Sequence, residues 1–157
     1  MTSSRRHRLF LDSNIIVGGF SAHWGLDKAV LSLCAAKIYR LVLSEPVQVE
    51  VERNLSELAI RRPQSNLPDP IDDFRRFLEL SSPEFVARPN LSMIDSNRHL
   101  IRHAADLPVL LCAIAAKPDW LLTNNTKHFT QTVARKTGLR IANPYGFFRS
   151  VSALFPQ

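Results

Sequence analysis

The stretch Asp106 to Phe129, DLPVLLCAIAAKPDWLLTNNTKHF, limits the folds open to this chain more than any other. It reads as helix, strand, polar turn and helix with almost no slack. Leu107, Leu110, Leu111 and Ile114 recur at helical spacing, so one face is apolar. Pro108 falls in the first turn, where a missing N–H costs nothing. Pro118 stops the helix after Lys117. Trp120-Leu121-Leu122 is wholly apolar, as a strand covered on both faces has to be. Thr123-Asn124-Asn125-Thr126 ends that strand and offers cap residues for the next helix. In open α/β sheets, ligands bind outside the carboxyl ends of the strands. Asp106, at a helix N-terminus, and Asn125, just past a strand, stand at such places.

The rest of the chain repeats the alternation. Leu9-Phe10-Leu11 is a short strand, ended by Asp12-Ser13-Asn14, and Ile15, Ile16, Val17 and Phe20 begin a helix. Trp24-Gly25 marks a loop, and Leu26, Ala29, Val30, Leu33 and Cys34 give an amphipathic helix ending near Lys37. Leu41-Val42-Leu43 is the next strand, closed by Ser44-Glu45-Pro46. Val47, Val51, Leu55 and Leu58 follow as a narrow helical stripe. Pro63, Pro68 and Pro70 break the chain, and Ile71, Phe74, Phe77 and Leu78 define another helix. Phe85-Val86 reads as a short strand, and residues 88–104 carry no assignable pattern. A helix is expected from Asn125 through Phe129, Val133 and Ala134 to Gly138, whose glycine suits a C-terminus. Arg140-Ile141-Ala142 is a last strand, and Phe148, Val151 and Phe155 are spaced to pack a terminal helix. Short strands alternating with helices predict an α/β chain, a three-layer α/β/α sandwich around a parallel sheet of about four or five strands.

A length of 157 residues predicts one domain. Residues 1–7 are expected to form a flexible basic tail, and residues 8–157 a single domain. No apolar run is long enough to cross a bilayer, so no membrane association is expected. The basic N-terminus is not read as a signal peptide, because Asp12 and Asn14 interrupt the apolar stretch and no cleavage site follows. Cys34 and Cys112 are isolated, as buried thiols in a reducing cytoplasm would be. The net charge of +6 suits a phosphate-rich partner, and Arg5, Arg6 and Arg8 cluster at the start.

Polar groups at the strand ends and on the following helices are Asp12, a glutamate of the Val47–Leu58 helix, Asp106 and Asn125. Each has an ordinary use. Asp12 sits where a helix N-cap is common, and Glu50 or Glu52 taken alone reads as a solvated charge. Periodicity does not choose between the two glutamates, which flank the stripe on opposite sides. In a parallel sheet, however, all carboxyl ends share one edge. Carboxylates gathered there repel unless a cation neutralises them, and oxygen ligands favour magnesium or manganese. Such a site beside a basic surface suggests phosphodiester hydrolysis. His99 and His103 have i, i+4 spacing but lack the HExxH glutamate, and read as surface histidines.

Three motifs add a resemblance. LFLDSNIIVGGF resembles the opening strand of the PIN-domain family, the nuclease fold of VapC-type toxins and related ribonucleases. LVLSEPVQVEVERNL resembles its second strand and S-P-E-V-x-x-E-like helix. DLPVLLCAIAAKPDWLLTNNTKHF resembles its D-x-P-I-L-x-A-A…D-x-L-V-T-G-D-x-x-H-F signature. The resemblance spans most of residues 8–143. It implies a metal-dependent endoribonuclease, a hydrolase using Mg2+ or Mn2+, with Asp12, Glu50 and Asp106 as acids. It chooses Glu50 over Glu52. Asn125 stands where many members carry a fourth aspartate, so weaker metal binding is expected, with substrate phosphate completing the site. Ser13, Asn14 and Thr123 are candidates for orienting substrate or water, or for capping. Asp119 resembles a family position before the strand and is read as an exposed turn acid. The resemblance further implies RNA as substrate, a homodimer, and an antitoxin partner of a toxin–antitoxin pair. Two other readings remain: a catalytically weak PIN-like module binding RNA or protein, and a nuclease directed at DNA.

Overall fold

The computed structural model describes residues 5–61 and 68–153. Strands β1 (Arg8–Leu11), β2 (Arg40–Ser44), β3 (Glu84–Val86), β4 (Trp120–Leu122) and β5 (Ile141–Ala142) form one parallel sheet. Their order is β3-β2-β1-β4-β5. The inner strands are apolar at successive residues because helices cover both faces. Leu9, Phe10, Leu11, Leu41, Val42, Leu121 and Leu122 are all buried. The expected three-layer α/β/α sandwich stands, with five strands.

The helices are α1 (Ser13–Ser21), α2 (Leu26–Ala35), α3 (Glu45–Arg61), α4 (Pro70–Ser81), α5 (Leu91–Ser96), α6 (Leu107–Ala116), α7 (Gln131–Thr137) and α8 (Pro144–Ser152). Their starts are written locally. Asp69 caps α4 ahead of Pro70, and Asn143 caps α8 ahead of Pro144. Lys117, in the left-handed conformation, ends α6 just before Pro118. Between α1 and α2 the approach is close. A side chain on Gly18 would overlap the carboxylate of Asp27, and one on Gly19 would overlap Leu31.

Strand order positions the site. From β1 the chain moves outward to β2 and β3, then returns to lay β4 and β5 on the other side. The order reverses between β1 and β4, which leaves a crevice outside their carboxyl ends. The amino edge is closed by ion pairs instead. Glu84 accepts from the Arg8 guanidinium at 2.7 and 3.1 Å and from Arg40 at 3.0 Å.

Several local expectations change. The helix expected from Asn125 begins only at Gln131, with the Thr130 hydroxyl accepting from the Val133 N–H at 3.3 Å. Residues 123–126 therefore do not cap it. The Asn125 carbonyl instead accepts from the N–H groups of His128 and Phe129 in an isolated turn. Residues 88–104 hold α5 and a 3-10 turn at Arg98–Leu100. Asp119 is half-buried rather than an exposed turn acid. It accepts from the Arg8 N–H at 2.7 Å and from Arg5 at 2.6 Å, because β4 starts beside β1. In the basic segment, Arg6 also donates to the Lys37 carbonyl, while residues 1–4 lie outside the described residues. So do Pro63 and Phe155. Among the described residues no helix is long and apolar enough to cross a membrane.

Candidate active site

Asp12 leaves β1 at the switch point, and its N–H donates to the Leu122 carbonyl at 3.0 Å. The bond ties the end of β1 to β4. One carboxylate oxygen accepts from the Ser13 N–H at 2.8 Å, as an N-cap does. The other accepts from the Thr123 hydroxyl at 2.8 Å and the Asn14 amide at 3.1 Å. The side chain is buried. Burial pushes its pKa above the ordinary aspartate value, against the Thr123 and Ser13 bonds, and the charges of Glu50 and Asp106 push it further.

Those two acids line the same cleft, of about 390 Å³. Glu50 arrives from the second turn of α3, which starts directly after β2. Glu52 is exposed and accepts from Gln48 at 3.2 Å, away from the cleft. Asp106 precedes α6 but makes no side-chain cap bond. Its carboxylate meets His128 Nδ1 at 2.7 Å. Asn125 lines the cleft too, with its N–H bonded to Thr123 Oγ1 at 3.0 Å. All four candidates, Asp12, Glu50, Asp106 and Asn125, thus border one space.

The supporting residues divide. Ser13 and Asn14 line the cleft, and the Asn14 side-chain oxygen accepts from the Asn124 N–H at 2.9 Å. Thr123 is fully buried and does not reach a substrate. It holds Asp12 and the Asn125 turn from behind. Three residues were missed by the sequence reading. His128 orients Asp106, and the histidine of the T-K-H-F run was its only trace. Asn54 lines the cleft one turn beyond Glu50, at i+4. Asp27 accepts from the Asn124 amide at 3.1 Å through both oxygens. The signal for Asp27 was the Gly18-Gly19 pair within a helical pattern, which calls for a packing reason. His103 stacks on His128, with ring centroids 3.5 Å apart, so His99 and His103 form no ligand pair.

The donor chemistry fits a hard cation: carboxylate and amide oxygens, with like charges already disfavouring ionised Asp12. Among the described residues no three of His, Cys, Asp and Glu are gathered tightly enough to hold one ion directly. Asp12 is drawn toward Thr123, Ser13 and Asn14, and Asp106 toward His128. Magnesium tolerates this, since it keeps several waters and takes one or two carboxylates directly.

No protein-family model matches the chain, and no curated protein matches it by sequence. Solved structures do match. VapBC2 from Rickettsia felis, bound to a DNA fragment from their promoter, is similar at 22% identity and TM-score 0.56, over 87% of this chain and 98% of that one. PAE2754 from Pyrobaculum aerophilum is similar at 13% identity and TM-score 0.58, over 94% of this chain and 90% of that one. FitAcB from Neisseria gonorrhoeae is similar at 14% identity and TM-score 0.54, over 87% of this chain and 98% of that one. At these identities the likeness is one of fold, and the fold is the PIN-like three-layer sandwich that the motifs of this chain resemble.

Proposed function

We propose that the chain is a metal-dependent endoribonuclease, the cytoplasmic toxin of a toxin–antitoxin pair, working as a homodimer on residues 8–157 as one domain. The observation that carries the activity is the meeting of Asp12, Glu50 and Asp106 at one cleft on the switch point, where the other two acids act on the Asp12 pKa. The toxin reading, its antitoxin and the dimer rest on the motif resemblance, supported by a fold shared with VapBC2 and FitAcB.

Asp12, Glu50 and Asp106 would hold Mg2+ or Mn2+, with Asn125 adding a neutral oxygen. Bound there, the ion would polarise the scissile phosphate and lower the pKa of an attacking water. The chain contributes orientation. Thr123, Ser13 and Asn14 hold the Asp12 carboxylate in one rotamer, and His128 does so for Asp106. Ser13 and Asn14 lie where they can direct water or the scissile phosphate. The motif resemblance implies that water, rather than a side chain, is the nucleophile, with no covalent enzyme intermediate.

That the described residues hold no ready group of three such ligands favours a second reading, a PIN-like module that binds RNA or protein without cutting. Titrating magnesium against a labelled RNA ladder separates the two, and a DNA ladder tests the DNA-directed reading. Glu50→Gln is expected to lower cleavage by about a hundredfold or more, while Glu52→Gln keeps most of it. The reverse pattern overturns the site. Binding without cleavage at every magnesium concentration selects the second reading.

A further inference from the structure

Beside the acid cleft opens another of about 410 Å³, and its chemistry is opposite. Arg98, Arg102, Lys127 and Lys136 line it, with the hydroxyls of Thr130 and Thr132, and no acid does. Three separate pieces of chain supply these cations: the segment after α5, the turn after β4, and α7. His128 belongs to this wall, and its ring bonds Asp106 of the acid cleft, so the two spaces adjoin. Arg98 pairs with Asp95 at 2.8 Å and Lys136 donates to the His99 carbonyl at 3.4 Å. Arg102 and Lys127 are exposed, and among the described residues their side chains make no ion pair or hydrogen bond.

With Arg98 paired to Asp95, Arg102, Lys127 and Lys136 still leave the groove positive, a field that a line of negative charges offsets. The acid cleft alone repels phosphates. A strand with one phosphodiester in the acid cleft therefore needs cations where its neighbouring phosphates run. Arginine, lysine and threonine hydroxyls are the ordinary phosphate-contacting groups. We propose that this basic cleft binds the phosphodiester backbone of a single-stranded RNA on one side of the bond placed in the acid cleft. The proposal rests on the endoribonuclease reading for its direction past His128, while the binding itself can be measured without cleavage.

The test compares the parent with Arg102→Ala/Lys127→Ala and with the charge-keeping Arg102→Lys/Lys127→Arg. Binding of a labelled single-stranded RNA is followed by anisotropy in EDTA over a range of salt, and KM and kcat are then read with magnesium. The alanine pair should weaken binding at least about tenfold at moderate salt and lower the log–log salt slope by about 1.4, two contacts of roughly 0.7 each. KM should rise with it, kcat should move far less, and the charge-keeping pair should bind as the parent does. Unchanged affinity and slope in the alanine pair overturn the proposal, whether or not the parent cleaves. A parent that never cleaves but loses RNA binding in the alanine pair refutes the nuclease reading and upholds the cleft. If the alanine pair loses a polyglutamate peptide but keeps RNA, the groove belongs to an acidic protein segment and the proposal fails.

Discussion

Asn125 donates its N–H to Thr123 Oγ1, and its carbonyl accepts from His128 and Phe129. The turn uses the backbone of this residue, which leaves the side chain to the cleft. Asn125→Ala should therefore stay within about 0.5 kcal/mol of the parent in unfolding free energy, yet lose cleavage. Asn125→Asp adds a charge where magnesium is proposed to sit. Its affinity for magnesium in calorimetric titration should rise about tenfold, the equivalent of roughly 1.4 kcal/mol. Equal affinities, with a fully active alanine variant, would remove Asn125 from the site. Glu50 shows the same division of labour. Its helix needs only the apolar stripe, Val47, Val51 and Leu55, all buried, so the acid is free for chemistry.

At the scale of elements, the segment from β4 to α7 departs most from simple reading. Apolar spacing through Phe129 and Val133 suggested one helix, but Phe129 is buried from a turn and the helix starts after Thr130. The competing physics is capping: a threonine side chain satisfies a free N–H of the first turn, here that of Val133, only where the backbone is extended, as Thr130 is. Thr130→Ala should cost about 1 kcal/mol in urea unfolding. Thr126→Ala should change stability by less than about 0.5 kcal/mol. A larger loss at Thr126 would restore the longer helix. The early turn brings Lys127 and His128 toward the groove wall, which a continuous helix would have carried elsewhere.

Across the whole molecule, the two edges of the sheet titrate in opposite senses. At the carboxyl edge, burial raises the Asp12 pKa. The folded state thus favours protonated Asp12, a gain present below the ordinary aspartate range and lost as pH rises through the raised value. Asp12→Asn cannot ionise, so from about pH 3 to pH 7 the stability difference should move in favour of the variant. At the amino edge, the Arg8 bond holds Glu84 below the usual glutamate value, with Arg40 adding to it. That stability is present above the ordinary range and is lost as pH falls through the lowered value. The advantage of the parent over Glu84→Gln should shrink below about pH 4. Urea unfolding across pH reads both, and pH-independent differences would refute both assignments. If the cleft holds magnesium as proposed, millimolar magnesium should also raise the melting temperature at neutral pH, since an ion bound only by the folded state stabilises it. Asp12→Asn with Asp106→Asn should abolish that rise.

The sequence alone determined what depends on near neighbours. Apolar runs marked the strands, Pro108 marked a helix start, and the kinds of acid at the strand ends pointed to a hard cation. Period and capping are local, so they are legible in a short window. Tertiary structure alone decided the reversal of strand order between β1 and β4, which makes the crevice. It alone put His128 on Asp106 and set residues 98–102 in the wall of a basic groove, and it placed Glu50, which periodicity could not choose over Glu52, at the acid cleft. The physical reason is common to these cases. Side-chain periodicity states which face of an element is buried, but not which strand lies beside which. Contacts between distant segments follow from that order.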